Sequence, residues 1–154
     1  MADVASPRPS ARLVIVTTGG RALLFHFCFP ERSFWATPGG ALNPGEDYSA
    51  AARRELNEET GIAASISDEF YRRETTFIGP DGRLTYADER YFAVRVDAEE
   101  LNIDGWEATE RQAITEAAWV SPDDIRRLTD PVFPENFADL VERVHSNTIS
   151  GGHA

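Results

Sequence analysis

Residues 40–62 read Gly-Ala-Leu-Asn-Pro-Gly-Glu-Asp-Tyr-Ser-Ala-Ala-Ala-Arg-Arg-Glu-Leu-Asn-Glu-Glu-Thr-Gly-Ile. Pro44-Gly45 is a turn, and a helix is expected to start behind Asp47 or Ser49, either of which can serve as N-cap. Ala50, Ala51 and Ala52 are strong helix formers and let a helix lie close to a sheet. Gly61 suits a left-handed C-cap. Within the helix Glu55, Glu58 and Glu59 stand at i, i+3 and i+4 and share one face, where like charges repel. Such a cluster is best tolerated with a cation on it, and carboxylate oxygens suit hard divalent ions, Mg²⁺ above all, which also bind phosphate oxygens. Leu56 points to the core, so the carboxylates are expected to face away from the packed side.

The stretch resembles the Nudix box. Gly40, Glu46, Arg54, Glu55, Leu56, Glu58, Glu59, Gly61 and Ile62 fill every fixed position of that pattern. The resemblance implies an α/β/α sandwich around a central mixed β-sheet. It also implies a pyrophosphohydrolase that uses Mg²⁺, with Mn²⁺ as substitute, to cleave the diphosphate linkage of a nucleoside diphosphate joined to another group. Carried over residue by residue, Glu55, Glu58 and Glu59 are metal ligands, joined by the main-chain carbonyl of Gly39. Arg54 belongs to the catalytic set as the residue that orients a glutamate by a salt bridge. Glu46 takes a structural or outer role. The family often adds a carboxylate from a loop distant in sequence. Glu116 and Glu110 are the candidates, with Glu107 behind them.

Outward from the box, the 154 residues suggest one domain, and 42% hydrophobic content is that of a globular chain. Residues 1–10 read as a loose arm, 11–146 as the hydrolase domain and 147–154 as a frayed tail. Arg12 to Thr18 and Arg21 to Phe29 form a hairpin about Gly19-Gly20, and Ser33 to Thr37 is a short extended piece. Glu69 to Ile78 and Leu84 to Val96 are paired strands joined by a Pro80-Asp81-Gly82 turn. Trp106 to Ala113 is a loop or short helix, and Ala117 to Val120 a brief strand. Ser121 caps a short helix with Pro122 at its first position, ending near Leu128. Pro134 to His145 is an amphipathic helix presenting Phe137, Leu140, Val141 and Val144. Cys28, the single cysteine, reads as a buried inert thiol.

The net charge of −11 argues against a nucleic-acid backbone as partner. No stretch is long and apolar enough to span a bilayer, and residues 1–10 lack an apolar signal core, so a cytoplasmic enzyme is expected. The expected partner is a small nucleotide, with no nucleic acid and no membrane, and a homodimer is allowed. Trp35, Phe27, Tyr86, Tyr91 and Trp106 are candidates to stack a base, and Arg72, Arg73, Arg83 and Arg90 to pair a phosphate; Trp35, Arg83 and Tyr86 lead. No histidine joins a nucleophile at readable spacing. The proline that marks ADP-ribose enzymes beyond the box falls late here, at Pro80. The tyrosine of dinucleoside polyphosphate enzymes would be Tyr71, too early, or Tyr86, too late. The substrate therefore stays open between an NDP-sugar or ADP-ribose type and a nucleoside triphosphate. The alternative function is a catalytically silent ligand-binding domain of the same fold. Such domains usually lose box glutamates, and this chain keeps them.

Overall fold

The computed structural model describes residues 7–78 and 82–147. Eight strands and four helices follow in the order β1 (Pro7–Thr17), β2 (Ala22–Phe29), β3 (Arg32–Ala36), β4 (Gly39–Ala41), α1 (Tyr48–Thr60), β5 (Ile66–Ile78), β6 (Leu84–Val96), α2 (Ala108–Ala113), β7 (Ile114–Val120), α3 (Pro122–Ile125), β8 (Val132–Phe133) and α4 (Phe137–His145). One mixed sheet runs β5-β6-β1-β2-β3-β8, with β4 on β1 and β7 on β2. The β1–β6 and β3–β8 pairs are parallel and the rest antiparallel.

Alternation along β1 builds both layers of core. Ala11, Leu13 and Ile15 pack under α1 with Leu23, Phe25, Ala51, Ala52, Leu56, Phe92 and Val94. Val14 and Val16 pack on the opposite face with Leu24, Trp35, Tyr91, Ala93 and, from α4, Phe137, Leu140, Val141 and Val144. β1 and β2 meet at Val16 and Ala22, beside the turn, and β1 then takes β4 as partner. The sheet curls. In a flat sheet β5 and β8 would lie five strand spacings, about 24 Å, apart, yet the guanidinium of Arg73 on β5 is 5.6 Å from the Phe133 ring on β8. The face bearing Arg73 is concave.

Several boundaries differ from the sequence reading. β1 begins at Pro7, so residues 7–10 belong to a strand rather than to an arm. The prolines are tolerated because of their phase. Pro9 accepts the Leu42 N–H on the β4 side, where its own missing N–H is not needed, leaving Arg8 and Ser10 to face β6. β7 starts at Ile114 rather than Ala117, α3 stops at Ile125 and α4 starts at Phe137. Cys28 is exposed, because it sits near the end of β2 beyond the cover of α4. Of the expected Pro80-Asp81-Gly82 turn, the first two residues lie outside the described ones. Among the described residues no helix is long and apolar enough to cross a membrane.

Candidate active site

α1 forms as its sequence dictates. The Asp47 side chain accepts the Ala50 N–H at its N-terminus, and Gly61 ends it at φ 69°. The alanines let it settle on β1 and β4, and this close approach reverses the expected orientation of the glutamates. Glu55 and Glu59 are only 8% and 5% exposed. They are enclosed because Gly39 and Gly40 offer no side chain in front of them. A Cβ on Gly40 would lie 2.9 Å from a Glu55 carboxylate oxygen, and one on Gly39 would strike the Ala11 carbonyl at 2.2 Å. Gly39 also adopts φ 136°, a conformation that favours glycine.

α2 closes the site. Glu107 caps it, and the Glu110 carboxylate accepts the Glu107 N–H at 2.9 Å in a capping box. Glu110 meets Glu55 and Glu59, and the three offer carboxylate oxygens within 4.8 Å of one another. Glu59 also accepts the Gly39 N–H at 2.6 Å. Burial, then a hydrogen bond that its protonated form donates to Glu110, then the charge of Glu55 push the Glu59 carboxyl well above its ordinary value. Burial likewise raises Glu55, opposed by its hydrogen bond from Arg54. Three acidic oxygens drawn together, two on buried carboxylates whose charged forms are disfavoured, fit a divalent cation.

Arg54 spends its fork as a brace. Nε and Nη2 each donate to Glu46 at 2.8 Å, Nη1 to Glu55 and, at 3.2 Å, to Glu58, and Nη2 to the Ala41 carbonyl at 3.1 Å. The Arg54 hydrogen bond, first among its causes, lowers Glu46 to about 2. Arg54 thus ties the loop before α1 to the buried glutamates.

Two expected ligands are not among these three carboxylates. Glu58 stands outside the cluster, its side chain 49% exposed. Glu116 is opposite His26 in the β7–β2 pairing and lines a cavity of about 300 Å³ with Leu101, Trp106 and Arg111. Because β7 begins early, Glu116 is on the strand and Glu110 on the helix that reaches the site. Gly39 touches the cluster through its N–H. Trp35 is buried under α4 against the His26 ring at 4.7 Å. Tyr86, bonded to Glu74, is on the opposite side of β6 from Glu89, and Arg83 is exposed at the start of β6. Arg72 pairs with Glu69, and Arg90 lies over the Tyr48 ring.

Sequence reasoning missed Arg12 and Glu89, and it offered Trp106 only as a ring to stack a base, whereas its indole donates to the Glu59 carbonyl at 2.7 Å. It also missed an Asp130–His26–Thr115 chain, in which the His26 ring nitrogens lie 2.7 Å from Asp130 and 2.8 Å from Thr115. The available signal was the alternation Arg8, Ser10, Arg12, which becomes legible only if β1 is extended through its prolines.

A curled mixed sheet between helices, with two buried carboxylates and a third beside them against a two-glycine strand, defines an α/β protein with a candidate divalent-cation site. The NUDIX domain model matches residues 6–141. The RNA pyrophosphohydrolase of Erythrobacter litoralis is 30% identical over 122 residues, 73% of this chain and 74% of that protein. The MutT protein of Methanosarcina mazei superposes with a TM-score of 0.69 at 23% identity, covering 93% of this chain and 97% of that one. The NUDIX domain of Shewanella oneidensis NrtR, solved with ADP ribose, gives 0.66 at 14% identity, covering 94% and 90%. These two structures speak to the fold alone. The chain belongs to the NUDIX family and is a Nudix hydrolase.

Proposed function

We infer that this protein is a divalent-metal-dependent pyrophosphohydrolase acting on the diphosphate linkage of a nucleotide, with Mg²⁺ as its ion and Mn²⁺ as substitute. The observation that carries the reading is the Glu55–Glu59–Glu110 cluster, its first two carboxylates buried behind Gly39 and Gly40. These three would hold the ion, with Glu58 on the same helix face as a further ligand from the solvent side. A bound divalent cation supplies charge neutralisation on the phosphate oxygens and a more acidic water. The chain supplies the rest. Arg54 keeps Glu55 oriented and charged, and Trp106 and the Gly39 N–H fix the end of α1. A carboxylate of the cluster takes the proton as water oxygen adds to phosphorus. The bridging P–O bond breaks with its electron pair on the leaving phosphate.

Relatives named RNA pyrophosphohydrolase add a phosphorylated RNA 5′ end to the substrate set of nucleoside triphosphates and NDP-linked compounds. The hydrolase unit we assign runs from β1 to α4. The test is release of phosphate or diphosphate from nucleoside triphosphates, ADP-ribose, NDP-sugars and triphosphorylated oligoribonucleotides, with Mg²⁺, with Mn²⁺ and with excess chelator. Chelation should abolish turnover and either ion should restore it. Full turnover in chelator would overturn the reading.

A further inference from the structure

The concave face carries an arginine group that the carboxylate cluster does not use. Register puts Arg8, Ser10 and Arg12 of β1 on the same face as Ala87, Glu89 and Tyr91 of β6 and Tyr71 and Arg73 of β5. Glu89 is the hub. Its Oε1 accepts from Arg73 Nη1 at 2.9 Å and from the Tyr91 hydroxyl at 2.9 Å, and its Oε2 lies 3.8 Å from Arg12 Nε. Partial burial first and the charge of Arg12 second lower the Arg8 pKa, while Glu89 raises it, so Arg8 lies within electrostatic reach of both.

The charges do not balance. Among the described residues the three arginines share Glu89, since Glu135, 3.9 Å from Arg73, is 81% exposed and screened by water, and the further carboxylate that feels Arg12, Glu59, belongs to the cluster a cation would neutralise. This is a local cationic surplus in a chain of net charge −11. Arg12 is also unspent. Its side chain is 20% exposed, and among the described residues it makes the one loose ion pair to Glu89 and no hydrogen bond. Its fork of donors is open to a ligand. The position is telling, because Arg12 is opposite Gly39, whose N–H holds Glu59. An anion on Arg12 is therefore next to the phosphates the carboxylate cluster would serve.

We propose that Arg12, with Arg8 beside it and Arg73 behind it, forms a subsite for a terminal phosphate lying outside the metal-bound linkage, so that the substrate is a 5′-triphosphate rather than a diphosphate bridged to a neutral sugar. A terminal phosphate carries the additional charge that this surplus matches, and its oxygens suit a guanidinium fork. In ADP-ribose the group beyond the linkage is uncharged and would leave Arg12 with no anion beyond its loose pair to Glu89. Glu89 is a positioning residue that fixes Arg73 and steers Arg12 without consuming its donors. The inference rests on the hydrolase reading above and specifies its substrate class. Water adds to a phosphorus of the triphosphate, a bridging P–O bond breaks, and the leaving phosphate or diphosphate keeps the electron pair.

The experiment measures KM and kcat with Mg²⁺ for a nucleoside triphosphate, a 5′-triphosphorylated oligoribonucleotide and ADP-ribose. It uses the wild type, Arg12→Gln, Arg12→Lys and Glu89→Gln. Binding of inorganic triphosphate is measured by calorimetry on the same proteins, with thermal melts to confirm folding. The wild type should prefer triphosphates. Arg12→Gln should raise their KM about tenfold or more with kcat less affected, affect ADP-ribose kinetics far less, and weaken inorganic triphosphate binding equally. Arg12→Lys should recover part of the loss, and Glu89→Gln should raise KM rather than lower kcat. Preference for the oligoribonucleotide or for the free nucleotide supports the subsite either way and identifies its source. Equal losses on ADP-ribose and triphosphate, or unchanged triphosphate binding in Arg12→Gln, overturns the proposal. Inactivity on every substrate with triphosphate binding intact defeats the hydrolase reading and leaves the subsite standing.

Discussion

The two helices that cover the sheet solve different problems. α4 buries Phe137, Ala138, Leu140, Val141 and Val144, all apolar. α1 buries Ala51, Ala52, Leu56 and Thr60, but also Glu55 and Glu59. The first face is an ordinary core, where each buried side chain adds to stability. The second gives up some of that contribution to hold carboxylates out of water, where their charged forms are costly. Stability should therefore be most sensitive under α4 and catalysis most sensitive under α1.

Phe137→Ala should have the largest effect on stability, a loss of about 3–5 kcal/mol in denaturant titrations, because a fully buried ring leaves a cavity. The fraction that stays folded should keep a specific activity within a few-fold of wild type. Collapse of kcat in that folded fraction would erase the division between the faces. On the other side, Glu59→Gln should lower kcat by about 10²-fold or more in initial-rate assays. Its metal-free melting temperature should hold or rise, since a buried carboxylate is removed. Wild-type rates in this variant would show that the cluster is not the reaction centre.

A pH series sharpens the same contrast. Glu59 is raised in the folded state, mainly by burial. Its contribution to stability is thus fully present below the unfolded carboxyl pKa and is lost as pH rises through the folded one. Metal-free protein should melt at lower temperature as pH climbs above the ordinary carboxylate range, and Mg²⁺ should offset the loss and release protons on binding. Glu59→Gln should flatten the slope, whereas Phe137→Leu should keep it. The smallest effect is expected at the start of α1. Asp47→Ala removes the acceptor for the Ala50 N–H, 2.7 Å away, and should cost about 1 kcal/mol by chemical denaturation with little change in kcat.

The box was readable because its residues act through local geometry. Asp47, the alanines and Gly61 set the limits of α1, and the i, i+4 spacing of Glu55 and Glu59 puts them on one face. That this face is enclosed was not readable, since glutamates on a helix ordinarily point to water. What encloses them is the absence of side chains at Gly39 and Gly40 and the fold of α2, more than 40 residues on in sequence. The choice between Glu110 and Glu116 turned on where β7 begins, and alternation over so short a strand does not fix its start. The curl that brings Arg73 to Phe133 depends on how the strands splay, which strand-by-strand patterning cannot express.

The indole bond from Trp106 to the Glu59 carbonyl gives this protein an optical gauge of its own centre. The ring packs edge-on to Phe25 at 5.3 Å, in a position fixed from both ends. Any shift at the end of α1, whether from a proton leaving or an ion arriving, alters the field on that fluorophore. Trp35 and Trp119, lying elsewhere on the sheet, supply a steady background. Emission recorded during a cation titration, with Trp106→Phe as the blank, would follow occupancy of the carboxylate cluster without label or substrate.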